Sequence, residues 1–227
     1  MQNIAQNLAE IRAELETSAA RYGRSAAAIT LLAVSKSQGP AAIRAVAACG
    51  QREFGESYLQ EAIAKMGQLS DLPLTWHFIG PVQANKTRLI ARHFHWVHSV
   101  DRDKIARRLA EARAPAAAPL NVCLEVNISG ESTKAGVAPA AAVELARYIA
   151  ALPGLRLRGL MAMPEPATTL DVQRAAFRRL RELFAELRQA GLDLDTLSMG
   201  TTSDLEAAIA EGATIVRVGT GIFGPRT

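Results

Sequence analysis

One lysine ends a short apolar run and could act as a reactive amine. Lys36 follows the run at 31–34 with only Ser35 between them, so its stem would lie among apolar neighbours at a strand end. Desolvation disfavours the ammonium form and lowers the pKa of a lysine, and a neutral amine can attack an aldehyde. A lysine that extends from a strand end into water is the alternative. Position alone favours neither interpretation.

The other lysines are weaker candidates for this chemistry. Only five of the 26 basic residues are lysines, so each can be considered separately. Lys65 and Lys104 fall on polar helix faces, and Lys134 lies in a Gly/Ser/Thr-rich loop. Lys86 lies near the start of a predicted helix and could at most reach an anion. Lys36 therefore remains the candidate amine.

Two glycine-rich turns late in the sequence could bind a phosphate group. The turn at 198–200 leads to the segment 203–206, which fits a helix capping box, and the turn at 219–221 follows the last apolar run. Backbone N–H groups of such turns and nearby hydroxyls can converge on an anion. A pair of ordinary tight turns is the alternative.

An arginine interrupts the last apolar run. Alternation with Val216 and Val218 sends the Arg217 side chain to one face of a strand, where a charged group needs a partner. The partner is either a carboxylate in the protein interior or a ligand atom between Lys36 and the two turns. The residues alone leave both possibilities open.

The histidines and cysteines indicate little chemistry of their own. His93 and His95 form a pair without a third ligand at recognisable spacing, so we expect no metal site. His77 lies within a predicted strand and is interpreted as a hydrogen-bonded interior histidine. Cys49 and Cys123 are far apart in apolar stretches, which is typical of reduced core thiols. No nucleophile elbow indicates a hydrolase.

Eight short apolar runs alternate with helical patterns after an N-terminal amphipathic helix, which predicts a single-domain (β/α)8 TIM barrel with an extra N-terminal helix over residues 1–227. An open doubly wound sheet is the alternative, but neither GxGxxG nor GxxxxGK[ST] is present. In a barrel, all candidate residues meet at the carboxyl ends of the strands. The predicted strands are 29–34, 52–54, 75–79, 96–99, 120–127, 155–161, 196–199 and 214–218. The predicted helices are 40–49, 57–68, 83–92, 101–112, 138–150, 168–190 and 203–211.

Composition excludes several classes of protein. The chain has 227 residues, of which 49% are hydrophobic and 21% charged, as in an ordinary globular protein. No apolar run approaches the length of a membrane helix, and the acid-containing start is unlike a targeting peptide, so we expect a cytoplasmic protein. The net charge of +4 is dispersed among acids, which does not favour nucleic-acid binding.

Seven segments, in order along nearly the whole chain, resemble one family of proteins. The chain is similar to the pyridoxal phosphate (PLP) homeostasis proteins of the YggS/PROSC type, which in turn resemble the N-terminal barrel of bacterial alanine racemase. Each segment alone is short, but the combination is highly specific. The segments are LAVSK at 32–36, FGE at 54–56, HFIG at 77–80, QANK at 83–86, GLM at 159–161, SMG at 198–200 and VRVGTGIFG at 216–224.

The resemblance implies a cofactor and a set of residues that bind it. The implied cofactor is pyridoxal 5′-phosphate, held as a Schiff base by Lys36, with Arg217 facing the pyridine nitrogen. An arginine keeps its own proton, so the ring would remain a poor electron sink. No catalytic residue and no metal ligand is implied. The residues implied to hold the phosphate are Ser198, Gly200, Gly219 and Thr220.

The sequence departs from the family pattern at two places. Ser57 stands where the family usually has Asn, and Thr201 and Thr202 stand where Met-Ser is usual. These departures leave the contacts made by the two loops open. They do not affect the expected cofactor.

Three functions remain in view. The first is a PLP carrier without turnover that buffers or delivers the cofactor to recipient apoenzymes and meets amino or keto acids. The second is a PLP-dependent amino-acid racemase, but enzymes resembling alanine racemase need a second, β-rich domain, and only three residues follow Gly224 here. A dimer partner could still supply the missing acid/base group. The third, a class I aldolase, lacks an acid/base constellation around Lys36. We expect the carrier, as a monomer or a weak dimer.

Overall fold

The computed structural model describes residues 4–114, 117–131 and 135–224. Within these residues, eight parallel strands pair in chain order, and the last strand pairs with the first to close a barrel. The predicted (β/α)8 barrel is therefore confirmed. The strands are β1 (Thr30–Val34), β2 (Glu53–Glu56), β3 (Thr75–Phe78), β4 (Trp96–Val100), β5 (Leu120–Glu125), β6 (Leu155–Met161), β7 (Thr196–Ser198) and β8 (Ile215–Val218).

Helices follow the strands and cover the outside of the barrel. The predicted N-terminal helix and the seven predicted connecting helices are confirmed, and a 3₁₀ helix at Ala26–Ala28 and a four-residue helix after β8 are additional. The helices are α1 (Ile4–Arg21), α2 (Pro40–Ala48), α3 (Leu59–Gln68), α4 (Thr87–His93), α5 (Asp103–Ala112), α6 (Pro139–Ala150), α7 (Leu170–Gln189), α8 (Leu205–Ala210) and α9 (Thr220–Phe223).

The strands form because their residues are buried on both faces. Inward side chains fill the barrel and outward side chains pack against the helices, so a parallel barrel strand is a nearly continuous apolar run. Val122, Cys123 and Leu124, which follow one another in β5, are all fully buried, for example. Helix α1 adds Leu8, Ile11 and Leu15 to this core and packs against α8 and α9.

The predicted helix starts differ from the structure. Helix α3 begins at Leu59 with Tyr58 as its N-cap, and α8 begins at Leu205 with Asp204 as its N-cap, so the capping box predicted at 203–206 is wrong. Asp204 instead accepts hydrogen bonds from the backbone N–H and the hydroxyl of Thr201, at 2.6 and 2.8 Å. The carboxylate that could cap the helix is thus used to hold the preceding turn.

The two cysteines are free thiols, as predicted. Cys123 lies in β5 and is fully buried, and burial raises the pKa of its thiol to about 12. Cys49, at the end of α2, packs against the core but is only half-buried, so it is more exposed than predicted. Within the described ranges, no three metal-ligating side chains cluster, and none of the helices has the length and apolar character needed to cross a membrane.

Two glycines give a matched test of the barrel packing. A Cβ at Gly159, in β6, would collide with the backbone carbonyl of Thr196 in β7, whereas a Cβ at Gly67, in α3, would meet open space. We expect Gly159→Ala to lower the free energy of unfolding by about 3 kcal/mol because β6 and β7 must separate. Gly67→Ala should raise it by about 0.5 kcal/mol because alanine favours helix. Urea unfolding measures both, and equal effects would contradict this account.

Candidate cofactor-binding site

Two adjoining cavities open at the carboxyl ends of the strands and share Lys36. The smaller cavity, about 360 Å³, brings Lys36 together with Arg217, Gly219 and Thr220. The larger cavity, about 910 Å³, extends from Lys36 towards Glu125. Four residues separated by up to 184 positions thus meet where a parallel barrel places its ligands. The structure brings the predicted amine, arginine and second glycine-rich turn into one cavity.

Lys36 lies in a tight turn directly after β1. Ser35 continues the strand pairing through its N–H, which donates to the Gly55 carbonyl at 2.9 Å. Ser37 then adopts a φ of +63°, a left-handed conformation that is costly for a residue with a Cβ. This turn directs the half-buried Lys36 side chain to both cavities.

A buried charge cluster, formed by Glu56, Glu61 and Lys65, holds the turn around Lys36. Lys65 Nζ donates to the Ser35 carbonyl at 2.8 Å and to Glu56 Oε1 at 2.9 Å. Its third partner is the Glu61 carboxylate. Glu56 Oε1 also accepts from the Ser35 hydroxyl at 2.6 Å. The prediction that Lys65 lies on a polar helix face is therefore wrong, because Lys65 is only 4% exposed.

Ser37, on the other side of Lys36 in the same turn, is hydrogen-bonded to Glu61. The Ser37 N–H donates to Glu61 Oε1 at 2.7 Å, so the residues before and after Lys36 both contact the charge cluster. Burial raises the pKa of Glu56, while hydrogen bonds from Ser35 and Lys65 oppose that rise. The cluster thus compensates for the strained backbone next to the candidate amine.

The second glycine-rich turn lines the smaller cavity with Gly219 and Thr220, whereas the first turn reaches this cavity only through the residues that follow it, 201–203. Gly200 has a φ of +92°, and a Cβ there would collide with Ala208, so only glycine fits the first turn. In the second turn, the Gly221 N–H donates to Thr202 Oγ1 at 3.3 Å, and the Thr220 hydroxyl lies 3.4 Å from the same oxygen. Thr202, Ser203 and Thr220 place three hydroxyls on the cavity.

Arg217 is buried, with 4% of its surface exposed, yet its side chain reaches the smaller cavity. Nη1 donates to the Ser198 carbonyl at 2.6 Å and to Ser198 Oγ at 2.8 Å, and Nη2 donates to the Ala162 carbonyl at 2.9 Å. Burial lowers its pKa to about 10, so the guanidinium group remains charged at neutral pH. Within the described residues, Arg217 forms no ion pair, which disfavours the interior salt bridge.

Ser198, predicted to contact a phosphate, is fully buried and has other partners. Its Oγ accepts from Arg217 and lies 2.8 Å from His98 Nδ1. His77 is a hydrogen-bonded interior histidine, as predicted, with His98 and Glu53 as partners. His98 itself was not anticipated, because its partner on β7 is 100 residues away in sequence.

Glu125, also not anticipated, ends β5 and lines the larger cavity with Lys36. Burial raises the pKa of its carboxyl group to about 7, and the neighbouring Asp101 adds to the rise, while Arg217 opposes it. A carboxyl group with this pKa can hold or release a proton near neutral pH. A charged residue within the apolar run predicted at 120–127 is the only signal for it in the sequence.

Comparison with known proteins gives one consistent result. The family described as alanine racemase, N-terminal domain, matches residues 2–227. The pyridoxal phosphate homeostasis protein of Pseudomonas aeruginosa is 58% identical over 226 residues, which are 100% of this chain and 97% of that protein. The solved structure of PipY from Synechococcus elongatus without PLP has a TM-score of 0.87 and 41% identity, covering 98% of this chain and 100% of that one. The PipY structure with PLP bound has a TM-score of 0.85 and 40% identity, at the same coverage.

The charge cluster can be tested through stability. Lys65→Met removes the cation and leaves the Glu56 carboxylate buried, so we expect a loss of about 3 kcal/mol in the free energy of unfolding. Glu56→Gln in the same chain should restore part of the loss, since the uncompensated charge is then gone. Lys104→Met, at an exposed position of α5, is the control and should change stability by less than about 0.5 kcal/mol. Equal effects of the two lysine variants in urea unfolding would refute the cluster.

Glu125 gives a pH-dependent prediction. Its pKa is raised from 4.5 to about 7, so the folded protein keeps a proton that the unfolded chain loses. The resulting stabilisation is complete below pH 4.5 and is lost as the pH rises through about 7. We therefore expect Glu125→Gln to match the parent near pH 4.5 and to be more stable by about 3 kcal/mol above pH 8.

The measurement is urea unfolding of both proteins across that pH range. Glu111→Gln, which changes an exposed carboxylate on α5, should show no such pH-dependent difference. A constant difference between Glu125→Gln and the parent at all pH values would contradict the raised pKa.

Proposed function

The chain belongs to the alanine racemase N-terminal domain family and, within it, to the pyridoxal phosphate homeostasis proteins, and from this premise we propose that it holds PLP covalently through Lys36 as a cofactor carrier. The observation that carries the proposal is the meeting of Lys36, Arg217, the second glycine-rich turn and the hydroxyl residues 201–203 in one cavity of about 360 Å³. A volume of that size is typical of small-molecule sites.

The donor set of the cavity fits the parts of PLP. Lys36 offers an amine for the aldehyde, and Thr202, Ser203 and Thr220 offer hydroxyls for the phosphate. A guanidinium group has five N–H donors, and bonds to Ser198 and Ala162 use three of those of Arg217. Among the described residues the other two have no acceptor, and a pyridine nitrogen would provide one.

When bound, PLP supplies an aldehyde that bonds to an amine with loss of one water molecule, and a ring that withdraws electrons. In this proposal Lys36 Nζ holds the aldehyde carbon. Gly219 and Thr220 offer backbone N–H groups to the phosphate and Thr220 adds a hydroxyl, while Gly200 allows the tight turn that places residues 201–203 on the cavity. Ser198 contributes through Arg217, because its own hydroxyl is already engaged.

Arg217 favours a carrier over an enzyme. A guanidinium group with a pKa of about 10 donates to the ring nitrogen but does not transfer its proton at neutral pH. A ring without that proton withdraws electrons weakly, so carbanion chemistry gains little. The arginine therefore supports retention of the cofactor rather than turnover.

The mouth of the site favours the same conclusion. Tyr58 and Met163 line the larger cavity and are 53% and 55% exposed, so water reaches the Lys36 side of the site. Racemisation requires an acid/base group on each face of the substrate and exclusion of water. An open mouth instead suits entry of amino or keto acids and transfer of the cofactor to recipient apoenzymes.

The covalent link can be tested with the visible absorbance of the PLP-loaded protein, before and after borohydride reduction. We expect a yellow band that disappears on reduction, with the pyridoxyl group trapped on Lys36 in peptide mapping. Lys36→Ala should lose the band while keeping its unfolding free energy. Lys104→Ala, an exposed lysine outside the site, should leave the band unchanged.

Three results would overturn parts of this proposal. A pyridoxyl group on another lysine would remove Lys36 from its assigned role. Absence of any band after addition of PLP would exclude the cofactor. Deuterium exchange at the α-carbon of added amino acids at a catalytic rate would replace the carrier by the racemase.

A further inference from the structure

Five side chains from five strands form one continuous hydrogen-bonded row through the barrel, here named the buried relay. Arg217 Nη1 lies 2.8 Å from Ser198 Oγ, and Ser198 Oγ lies 2.8 Å from His98 Nδ1. His98 Nε2 lies 2.9 Å from His77 Nδ1, and His77 Nε2 lies 2.6 Å from Glu53 Oε2. The row runs from the cofactor side of the barrel to the first residue of β2, at the opposite end.

The two ends of the relay fix the direction of every hydrogen bond. Arg217 can only donate, and the Glu53 carboxylate can only accept. With neutral histidines, His77 donates from Nε2 to Glu53 and accepts at Nδ1 from His98 Nε2. His98 then accepts at Nδ1 from the Ser198 hydroxyl, and Ser198 accepts from Arg217. Each ring nitrogen then has one role, the Ser198 hydroxyl both accepts and donates, and the two ends of the relay require the same arrangement.

The surroundings keep both histidines neutral. Burial lowers the pKa of His77 and lowers that of His98 well below its ordinary value. His98 is also faced by His77 and Arg217, which act in the same direction. His77 is faced by Glu53, which favours the charged form, and by His95, which opposes it. The Trp96 ring stacks on His77 with ring centroids 5.4 Å apart and excludes water from that side.

The relay is an unusual filling for the interior of a barrel. Barrel interiors are mostly packed with branched apolar side chains, and buried polar groups are unfavourable unless all their hydrogen bonds are made. Three polar side chains occupy this space and hydrogen-bond to one another: Ser198, His98 and His77. Their arrangement leads to a cation, Arg217, that has no carboxylate in contact among the described residues.

We propose that Glu53, His77 and His98 are positioning residues that act through Ser198 to fix the guanidinium group of Arg217 in the orientation that meets the cofactor ring. The role of Arg217 at the cofactor rests on the proposed function. The hydrogen bonds of the relay do not depend on it. Glu53 is 31% exposed on its side chain, so the relay connects solvent at the far end of the barrel to the cofactor site. A substitution of Glu53 should therefore change the orientation of the Arg217 guanidinium group, across the barrel.

The first test uses the protein without cofactor. Long-range ¹H–¹⁵N NMR spectra should show His77 and His98 neutral, with the proton on Nε2, and separate Nη signals for an Arg217 group that rotates slowly. Glu53→Ala removes the final acceptor, so both histidines should populate a second tautomer and the Arg217 signals should broaden. Glu53→Gln retains an acceptor oxygen and should restore the parent pattern.

The second test uses the PLP-loaded protein. Glu53→Ala should shift the absorbance maximum and weaken PLP retention about tenfold, the loss expected for one disturbed hydrogen bond to a charged group. Glu53→Gln should restore most of both. Asp71→Asn is the control, because it also converts a paired carboxylate to an amide, at an exposed pair with Arg44 outside the barrel. His98→Gln provides a second variant whose amide can still accept and donate.

The outcomes separate the relay from the proposed function. A charged histidine, or a proton on Nδ1 of either one, would overturn the relay. Parent-like Arg217 signals and absorbance in Glu53→Ala, with altered histidines, would overturn the positioning role. Failure of the parent protein to bind PLP would refute the proposed function, while the Arg217 signals would still decide the relay.

Discussion

Burial of a permanently charged guanidinium group in a closed barrel is the constraint on which the polar part of the structure depends. Arg217 cannot lose its proton at neutral pH, so its N–H groups need acceptors inside the protein. Two carbonyls and one hydroxyl, from Ala162 and Ser198, provide them. Because β7 is only three residues long and pairs with β8 at Ser198 and Ile215, the register of these strands determines whether the acceptors reach the arginine.

The lysine side of the site is stabilised by a different type of interaction. The turn at Lys36 contains a strained residue, Ser37, and is held by ion pairs of Lys65 rather than by a row of neutral groups. An ion pair needs both partners, since the loss of one leaves an uncompensated buried charge. The neutral groups between Arg217 and Glu53 are linked by hydrogen bonds instead, so the hydrogen-bond direction at one residue fixes that at the next. The two sides of the site therefore respond to different perturbations.

Much of the fold could be predicted from the sequence because strands buried on both faces are short apolar runs. All eight strands were predicted, most to within one or two residues at each end. Helix starts were less predictable, because Ser203 fits a capping pattern while the structure uses Asp204 to hold Thr201. A local pattern does not show which of two nearby acceptors a backbone N–H group will use.

The sequence predicts the candidate site residues that lie at or near strand ends. It does not predict the residues that hold them in place. Lys36, Gly219 and Arg217 follow or interrupt apolar runs, which is a local signal. Lys65 and His98 are recognisable only through partners on other elements, and the spacing of residues on one helix or strand does not carry that information. The resemblance named the binding residues but gave no account of what holds them.

The arrangement also separates retention of a cofactor from its release. The ring side of the proposed site is enclosed, with Arg217 and Ser198 almost fully buried. The Lys36 side is half-buried, adjoins the larger cavity and lies in a strained turn, so water and amines reach it directly. In the proposed carrier, a covalent bond to Lys36 would therefore be open to hydrolysis or exchange from the mouth while the ring side remains bound. A carrier needs this asymmetry, whereas an enzyme that protects a carbanion needs both sides closed.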